Sequence, residues 1–325
     1  MTLVFKIGSR QSELALRQSN LVVSGINNLL SLSSENVNHK SFEIIPMAVT
    51  GDIRRDSMNL NVQDKKQWVI ELEQKIIAGE IDCAIHSAKD VPLMIENGTS
   101  IITVLPRNMS HDVLLYKEDS KPPCPNSPLP MLRPGATIGT SSKRRRSQLL
   151  KLRPDLCIKL FRGNITTRVE KFKSSNEFDA IVLAAAGLNR LDIAKELSWH
   201  IFSETEMVPA VGQGTLLAQY RSNDIVTRQL LESLSNKFTE AEYTAERSCI
   251  HFLGADCHSN LGVYAKIDKE NINIHARVLS DDGQACIEAS IDSQFHMNSE
   301  SINHAISIGI ELGKLLLDRG AGSLI

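Results

Sequence analysis

Apolar residues in the first part of the chain alternate between short, largely apolar runs and runs at helical spacing. The short runs at residues 4–7, 42–49 and 81–85 predict strands. Between them, apolar residues recur every three or four positions, as from Leu14 to Ile26 and from Trp68 to Ile77, which predicts helices. Strands that alternate with helices in this way are typical of a mostly parallel sheet with helices on both faces.

The same pattern restarts after a segment with five prolines at residues 117–130, which we expect to be a loop or crossing segment. Strands are predicted at residues 136–138, 157–161 and 179–183. The first of them runs into Ile138-Gly139-Thr140, which matches Ile7-Gly8-Ser9. This likeness indicates an internal duplication into two α/β lobes, and a cleft between two lobes is a favoured ligand site. The alternative, that any two unrelated α/β units resemble each other to this extent, stays open.

Beyond residue 214 the pattern changes to strands without intervening helices. A helix is predicted at residues 236–252, strands at 263–267, 272–278 and 285–290, and a helix at 301–319. Asp281-Asp282-Gly283 fits a hairpin turn. We therefore predict two α/β lobes and a small C-terminal α+β domain.

Composition and charge exclude several classes of protein. The 325 residues include 36 Lys and Arg against 38 Asp and Glu, a net charge of −2, which argues against disorder and against a wholly basic nucleic-acid binder. An apolar run at 180–188, among the longest, has nine residues, too few to cross a membrane, and the N-terminal residues lack the pattern of a signal peptide. Six scattered cysteines without a C-x-x-C pair are typical of reduced thiols in a cytoplasmic protein.

One segment is nevertheless strongly basic. Residues 133–173 contain 12 Lys and Arg against two acids. Arginines and hydroxyl residues fall at or just after predicted strand ends, where open α/β sheets bind ligands. They are Arg10, Ser12, Thr140, Ser142, Arg144, Arg145, Arg162, Arg168 and Arg190. Together they predict a site for a polyanion or a polycarboxylate, although a solvated basic face is the usual explanation of a charge run.

The chemistry of the rest of the segment favours a small carboxylate ligand. Phe161 and Phe172 are its only aromatic residues, too few to stack nucleic-acid bases, and no nucleotide-binding glycine motif is present. We therefore expect neither nucleic acid nor membrane as a partner.

Two further residues could carry chemistry, and the residues alone leave their roles open. Asp90 follows a predicted buried strand and precedes Pro92, so it either stabilises a developing cation or caps a turn. Cys257 lies in a polar loop, where a thiol can be a nucleophile, a cofactor attachment point, a metal ligand or an inert group. The spacing of Cys249, His251, Cys257 and His258 fits no zinc pattern, so we predict no metal site.

Seven ordered segments resemble the hydroxymethylbilane synthase (porphobilinogen deaminase) family. They are I-G-S-R-Q-S-x-L-A-L (7–16), H-S-A-K-D-V-P (86–92), I-G-T-S-S-K-R-R (138–145), R-G-N-I-T-T-R (162–168), L-A-A-A-G-L-N-R (183–190), P-A-V-G-Q-G (209–214) and the Cys257 loop. The resemblance implies two lobes like those of periplasmic binding proteins and a third domain with a cofactor cysteine. With this organisation we divide the chain into residues 1–112 with 210–234, residues 113–209, and residues 235–325.

The resemblance also implies an enzyme, a transferase of porphyrin and haem biosynthesis. Such enzymes join four porphobilinogen molecules head to tail, release ammonia, and free the linear tetrapyrrole hydroxymethylbilane by hydrolysis. The primer is a dipyrromethane cofactor held by a thioether, here to Cys257. Porphobilinogen carries an acetate and a propionate, which agrees with the predicted polycarboxylate site. Nothing in the sequence requires more than a monomer.

Residue by residue, the resemblance makes Asp90 the catalytic carboxylate. It assigns Lys89, Thr140, Ser142, Arg144, Arg145, Arg162, Arg168 and Arg190 to the cofactor, together with Cys257. It assigns Arg10, Ser12, Lys65 and Gln213 to the substrate. The chain departs from the family at residues 62–68, which lack the usual glycines, and in the cofactor loop, where Ala255-Asp256 replace Gly-Gly and Asn260 replaces a proline. We expect these departures to affect lid motion and cofactor loading.

Two other functions are compatible with parts of the sequence. A non-catalytic protein that binds small anions could use the same two lobes, but it needs neither a loop cysteine nor a third domain. A protein that binds RNA through the basic helix would show binding that depends on salt.

Overall fold

A computed structural model describes residues 4–32, 41–47, 63–117, 129–255 and 259–325; the side chains of residues 32 and 63–68 fall outside that description. The chain forms two compact units. The first comprises Met1–Arg107 and Thr215–Glu240, and the second comprises Asn108–Gly214 and Ala241–Ile325. Within the described ranges, no helix is both long and apolar enough to cross a membrane.

The first unit is built on a five-stranded sheet. Its strands and helices are β1 (Val4–Arg10), α1 (Glu13–Leu32), β2 (Ser41–Met47), α2 (Gln63–Ile77), β3 (Cys83–Ser87) and β4 (Thr99–Val104). A single 3-10 turn, Ala88–Asp90, follows β3. After the second-unit segment the chain returns with β10 (Leu216–Arg221) and α6 (Ile225–Glu232). The strand order is β2-β1-β3-β10-β4, and only β10 runs against the others.

Apolar side chains cover both faces of this sheet. Phe5, Ile7 and Ile85 pack on one face with Val22 and Ile26 of α1. Leu72 and Ile76 of α2 cover the other face. Each large apolar side chain that is fully buried contributes about 1.5–3 kcal/mol to folding. The sequence prediction of a mostly parallel sheet between helices is confirmed, with β10 as an antiparallel insertion that it did not contain.

The second unit repeats this arrangement of strands. Its elements are β5 (Asp112–Tyr116), β6 (Thr137–Gly139), α3 (Lys143–Leu152), β7 (Cys157–Lys159), α4 (Ile165–Ser174), β8 (Ala180–Ala184), α5 (Ala185–Leu191) and β9 (Ser198–Ile201). The order β7-β6-β8-β5-β9 matches that of the first sheet, again with one antiparallel strand in the fourth place. All five residues of β8 are buried, as expected for a strand covered on both faces.

The second unit also contains a three-stranded antiparallel sheet with helices beside it. Helix α7 (Lys237–Leu253) precedes β11 (Leu261–Asp268), β12 (Asn271–Leu279) and β13 (Cys286–Gln294), and α8 (Ser301–Asp318) follows. The predicted hairpin between β12 and β13 is present. Gly283 in its turn has a φ of 74°, and a Cβ there would collide with the backbone of Ser147 and Lys151. The α/β fold class with a small C-terminal sheet is therefore confirmed.

Candidate active site

The carboxyl end of the first sheet brings polar side chains to one edge. Arg10 is the last residue of β1, and Ser12 lies just before α1. The hydroxyl of Ser12 accepts a hydrogen bond from the Ala15 N–H at 3.4 Å, which is an N-cap contact. Asp90 ends the short turn after β3. Because β1 and β3 are neighbours in the sheet, the segments that follow them bring these three residues to the same edge.

Hydrogen bonds fix the turn that carries Asp90. The Ala88 N–H donates to the Thr215 carbonyl at 3.0 Å, and Gln18 donates through Nε2 to the Ser87 hydroxyl at 2.8 Å. The Asp90 side chain is exposed, and no side chain caps the turn. Among the described residues, no hydrogen bond involves the Asp90 carboxylate. Its position therefore favours interaction with a ligand over the turn-capping alternative.

A cavity of about 60 Å³ opens at this edge. Arg10, Ser12, Gln18, His86, Ser87 and Asp90 provide its polar lining, and apolar residues of α1 and α2 complete it. Burial lowers the pKa of His86 to about 4; Arg10 lowers it further, whereas Asp90 opposes the shift. The cavity thus combines a cation, an anion and a neutral imidazole. His86 opens the H-S-A-K-D-V-P segment, but the sequence alone indicated no role for it.

In the second unit, the loop after β6 positions two hydroxyl residues. Thr140 is buried, and its hydroxyl accepts a hydrogen bond from the Ser142 N–H at 3.2 Å. Ser142 is the N-cap of α3 and accepts from the Arg145 N–H at 3.4 Å. Both hydroxyls therefore lie at the N-terminus of a basic helix, a position that favours anions.

Arg144 and Arg145 are buried on a carboxylate of their own unit. Arg144 binds Asp112 through Nη2 at 2.8 Å and the Val208 carbonyl through Nη1 at 2.7 Å. Arg145 binds Asp112 through Nε at 2.9 Å and the Val182 carbonyl at 2.9 Å. Burial lowers the pKa of Arg144, and Asp112 opposes that shift. The two cations share one fully buried anion, so the three side chains together keep a net charge of +1.

A second layer of hydrogen bonds holds this cluster. Gln213 is fully buried and donates through Nε2 to Asp112 at 3.0 Å and to the Ser110 carbonyl at 2.6 Å. Gln148 binds both the N–H and the carbonyl of Val208, at 2.8 and 3.0 Å. Arg277 of β12 donates to Gln148 at 3.0 Å. The small antiparallel sheet therefore supports the helix that carries the two arginines.

The remaining arginines have different surroundings. Arg162 is exposed after β7, and Arg168 is half-buried in the first turn of α4. Arg190 of α5 donates through Nη2 to the Gly214 carbonyl at 2.7 Å. Burial alone lowers its pKa to about 10, and no carboxylate pairs with it among the described residues. Arg190 is therefore a partly desolvated cation that can accept an anionic ligand.

Several predicted site residues cannot be compared with the structure. Cys257 lies outside the described residues, together with Asp256 and His258. Lys65 lies in α2, but its side chain is outside the description. Lys89 is half-buried in the turn next to Asp90. In the described ranges, no group of three or more His, Cys, Asp or Glu is placed to hold a metal ion.

Sequence reasoning missed Asp112, the partner of both buried arginines. In the sequence, Asp112 is recognisable as a single acid at the start of the apolar run that forms β5. A charged residue in that position is rarely buried without a cation partner, so the acid could have been linked to the basic helix.

Comparisons with known proteins agree with one another. A family model described as "Porphobilinogen deaminase, dipyromethane cofactor binding domain" matches residues 5–229, and "Porphobilinogen deaminase, C-terminal domain" matches residues 241–318. A porphobilinogen deaminase of Geobacillus sp. (strain WCH70) is 37% identical over 320 residues, which cover 98% of this chain and 95% of the relative. One of Orientia tsutsugamushi (strain Boryong) is 36% identical, with coverages of 96% and 97%.

Among solved structures, the chain is similar to a Salmonella typhimurium periplasmic binding protein. That likeness has a TM-score of 0.41 at 10% identity, and it covers 71% of this chain and 92% of the other.

Proposed function

The chain belongs to the porphobilinogen deaminase family, a family of transferases with a dipyrromethane cofactor, and we propose that Asp90 and the arginines described above carry its reaction. Four porphobilinogen molecules are joined head to tail, ammonia leaves at each joining, and hydrolysis releases hydroxymethylbilane. The curated relatives support this activity rather than a non-catalytic anion-binding protein. What we propose is which residues of this chain perform each part of that reaction.

The residues present fit the dipyrromethane group. Its acetate and propionate side chains need cations, and the Arg144–Arg145–Asp112 cluster keeps a net positive charge. Arg190 adds a cation whose pKa is lowered by burial without an acidic partner. When bound, dipyrromethane supplies the pyrrole carbon to which the first substrate is joined. We assign Lys89, Thr140, Ser142, Arg144, Arg145, Arg162, Arg168 and Arg190 to its side chains and Cys257 to its thioether.

Asp90 is assigned to electrostatic stabilisation of positive charge. Loss of ammonia from porphobilinogen leaves a cation, and a carboxylate aimed at developing charge lowers the barrier most when it is fixed in advance. Asp90 fits this role because it is exposed at the cavity on a turn held by hydrogen bonds. Its carboxylate also lies where a ligand N–H can reach it.

The other residues of the proposal bind and orient the substrate. Arg10 and Ser12 line the Asp90 cavity and can donate hydrogen bonds to a carboxylate. Arginine can bind a carboxylate through two parallel bonds, which fixes orientation as well as charge. Lys65 is proposed from the family resemblance alone. Gln213 is proposed to act through Asp112, which it contacts at 3.0 Å.

The single observation that carries the proposal is the cavity that collects Arg10, Ser12 and Asp90 at one sheet edge. We also propose the division into residues 1–112 with 210–234, residues 113–209 and residues 235–325. A monomer in the cytoplasm completes the proposal. Light scattering during gel filtration tests the monomer, since a dimer would double the measured mass.

The decisive experiment is the intact mass of the purified chain. The wild type is expected to be heavier than its sequence by one dipyrromethane unit, and Cys257→Ser should lose this increment. Cys286→Ser is the matched control, because Cys286 is a partly exposed thiol on β13 and should leave the increment unchanged. A wild-type mass equal to the bare sequence after incubation with porphobilinogen would overturn the proposal in favour of a non-catalytic binder.

A further inference from the structure

His86 is a buried polar group beside Asp90 that the proposed reaction does not use. It is the fourth residue of β3, it is 7% exposed, and it lines the same cavity as Asp90, Arg10 and Ser12. Its Nε2 atom is buried without a hydrogen-bond partner among the described residues. A buried polar atom in this state is rare in folded proteins and calls for an explanation.

Gln219 restricts which hydrogen bonds the imidazole can make. Gln219 is fully buried on β10, and its Nε2 donates to Glu73 at 2.7 Å and to the Thr99 hydroxyl at 2.9 Å. Both amide hydrogens are therefore used, and the carboxamide oxygen, like Nε2 of His86, is buried without a hydrogen-bond partner among the described residues. The Gln219 side chain interacts with the ring and raises its pKa. An oxygen can only accept, so the ring nitrogen that faces it is the one that carries the N–H.

The remaining ring nitrogen is then an acceptor. A neutral imidazole has one N–H and one lone pair, and burial keeps His86 neutral with a pKa of about 4. The charged groups that face the ring are Asp90, which raises this pKa, and Arg10, which lowers it. Glu73 hydrogen-bonds to Gln219 and is not among the charges that shift this pKa. The imidazole is therefore unprotonated from mildly acidic to alkaline pH.

We propose that His86 accepts a hydrogen bond from a ring N–H of the substrate bound beside Asp90, and thereby sets the orientation of the pyrrole. This inference rests on the proposed function. The cavity then has two acceptors, His86 and Asp90, and two donors, Arg10 and Ser12. A pyrrole with carboxylate side chains presents an N–H at one edge and anions at the other. An unprotonated nitrogen rejects a carboxylate, so the reversed orientation is disfavoured.

Kinetics of two variants test the role. His86→Leu removes the acceptor and should raise the KM for porphobilinogen about tenfold to a hundredfold with a small change in kcat, as expected for the loss of one buried hydrogen bond. His86→Gln retains an acceptor and should lie between this variant and the wild type. Thr103→Val is the matched control, since Thr103 is equally buried on β4 and contacts Ser235 rather than the cavity. Its KM should not change.

Intact mass is recorded for every variant, so that only chains with the dipyrromethane increment are compared. A loaded His86→Leu with an unchanged KM overturns the inference. A wild type without the increment overturns the proposed function instead, so the two failures are distinguishable.

Nitrogen NMR tests the inference on a chain that retains His86. The Asp90→Asn holoenzyme is labelled with ¹⁵N at histidine, and His86→Gln in that background identifies the resonances. The lone-pair nitrogen of His86 should shift towards the N–H-bonded range when porphobilinogen is added. A resonance that stays in place overturns the inference. So does a pH dependence of the wild-type rate with an apparent pKa near the ordinary histidine value, if His86→Gln removes it.

Discussion

The two units hold their charged side chains in opposite ways. In the second unit, Arg144 and Arg145 are buried and bound to Asp112, so the cations are fixed by an internal anion. In the first unit, the carboxylate of Asp90 is exposed at a cavity and caps no turn. The first cluster holds an acid of its own and keeps one excess positive charge, whereas the second presents its carboxylate at a cavity. Substitution of Asp112 should therefore mainly lower the stability of the chain, whereas substitution of Asp90 should mainly lower its activity.

The largest effect is expected from Asp112→Asn. Removal of the buried charge leaves two buried guanidinium groups without an anion, which should lower the free energy of unfolding by about 3–5 kcal/mol. Urea denaturation measures this loss. Glu177→Gln is the matched control, because Glu177 pairs with Lys159 in the same unit and both side chains are exposed. That exposed pair should cost about 1 kcal/mol or less. Equal stability of Asp112→Asn and the wild type would show that the cluster is not held by charge.

Asp90→Asn should separate activity from stability. Turnover should fall at least about a hundredfold, equivalent to about 3 kcal/mol of barrier, because the carboxylate no longer stabilises positive charge. The melting temperature and the dipyrromethane mass increment should stay at the wild-type values, since Asp90 is exposed. Glu80→Gln is the control, an exposed acid of the same unit that pairs with Lys75. Near-normal turnover of Asp90→Asn would remove Asp90 from its assigned role.

The smallest effect concerns the stability of the first unit in acid. The pKa of His86 is about 4 in the folded chain and 6.5 without burial, so the unfolded chain binds more protons between these values. Stability is therefore lost as pH falls through this window, by about 2 kcal/mol between pH 7 and pH 5. His86→Gln should lack this part of the pH dependence, which denaturation at several pH values measures. If the wild type and the variant lose the same stability as the pH falls, His86 is not a buried neutral imidazole.

The sequence predicted those parts of the site that lie at the ends of local elements. Arg10, Asp90 and Thr140 each follow a run of apolar residues, and such runs define the strand ends that hold them. The pattern also located the hairpin at Gly283. Local periodicity is sufficient here because each residue is placed by the element next to it in the chain.

The partners of the basic helix could not be predicted in this way. Arg145 and Asp112 are 33 positions apart, and Gln213 lies 101 positions from Asp112. The run of arginines favoured a face exposed to a ligand, but tertiary packing buries two of them. The antiparallel strands β5 and β10 were missed for the same reason, since each pairs with distant segments.

The insertion of β10 between β3 and β4 has a consequence for synthesis of the chain. Residues 216–221 pair with both 83–87 and 99–104, so β3 and β4 lack their shared neighbour until more than a hundred further residues have left the ribosome. Pairings of such long sequence separation slow folding. The first unit, although it contains the N-terminal strand, is therefore completed only after the β6–β9 segment of the second unit has been made. A nascent chain that ends before residue 216 exposes the edges of two strands, and chaperones that shield such edges are expected to bind it.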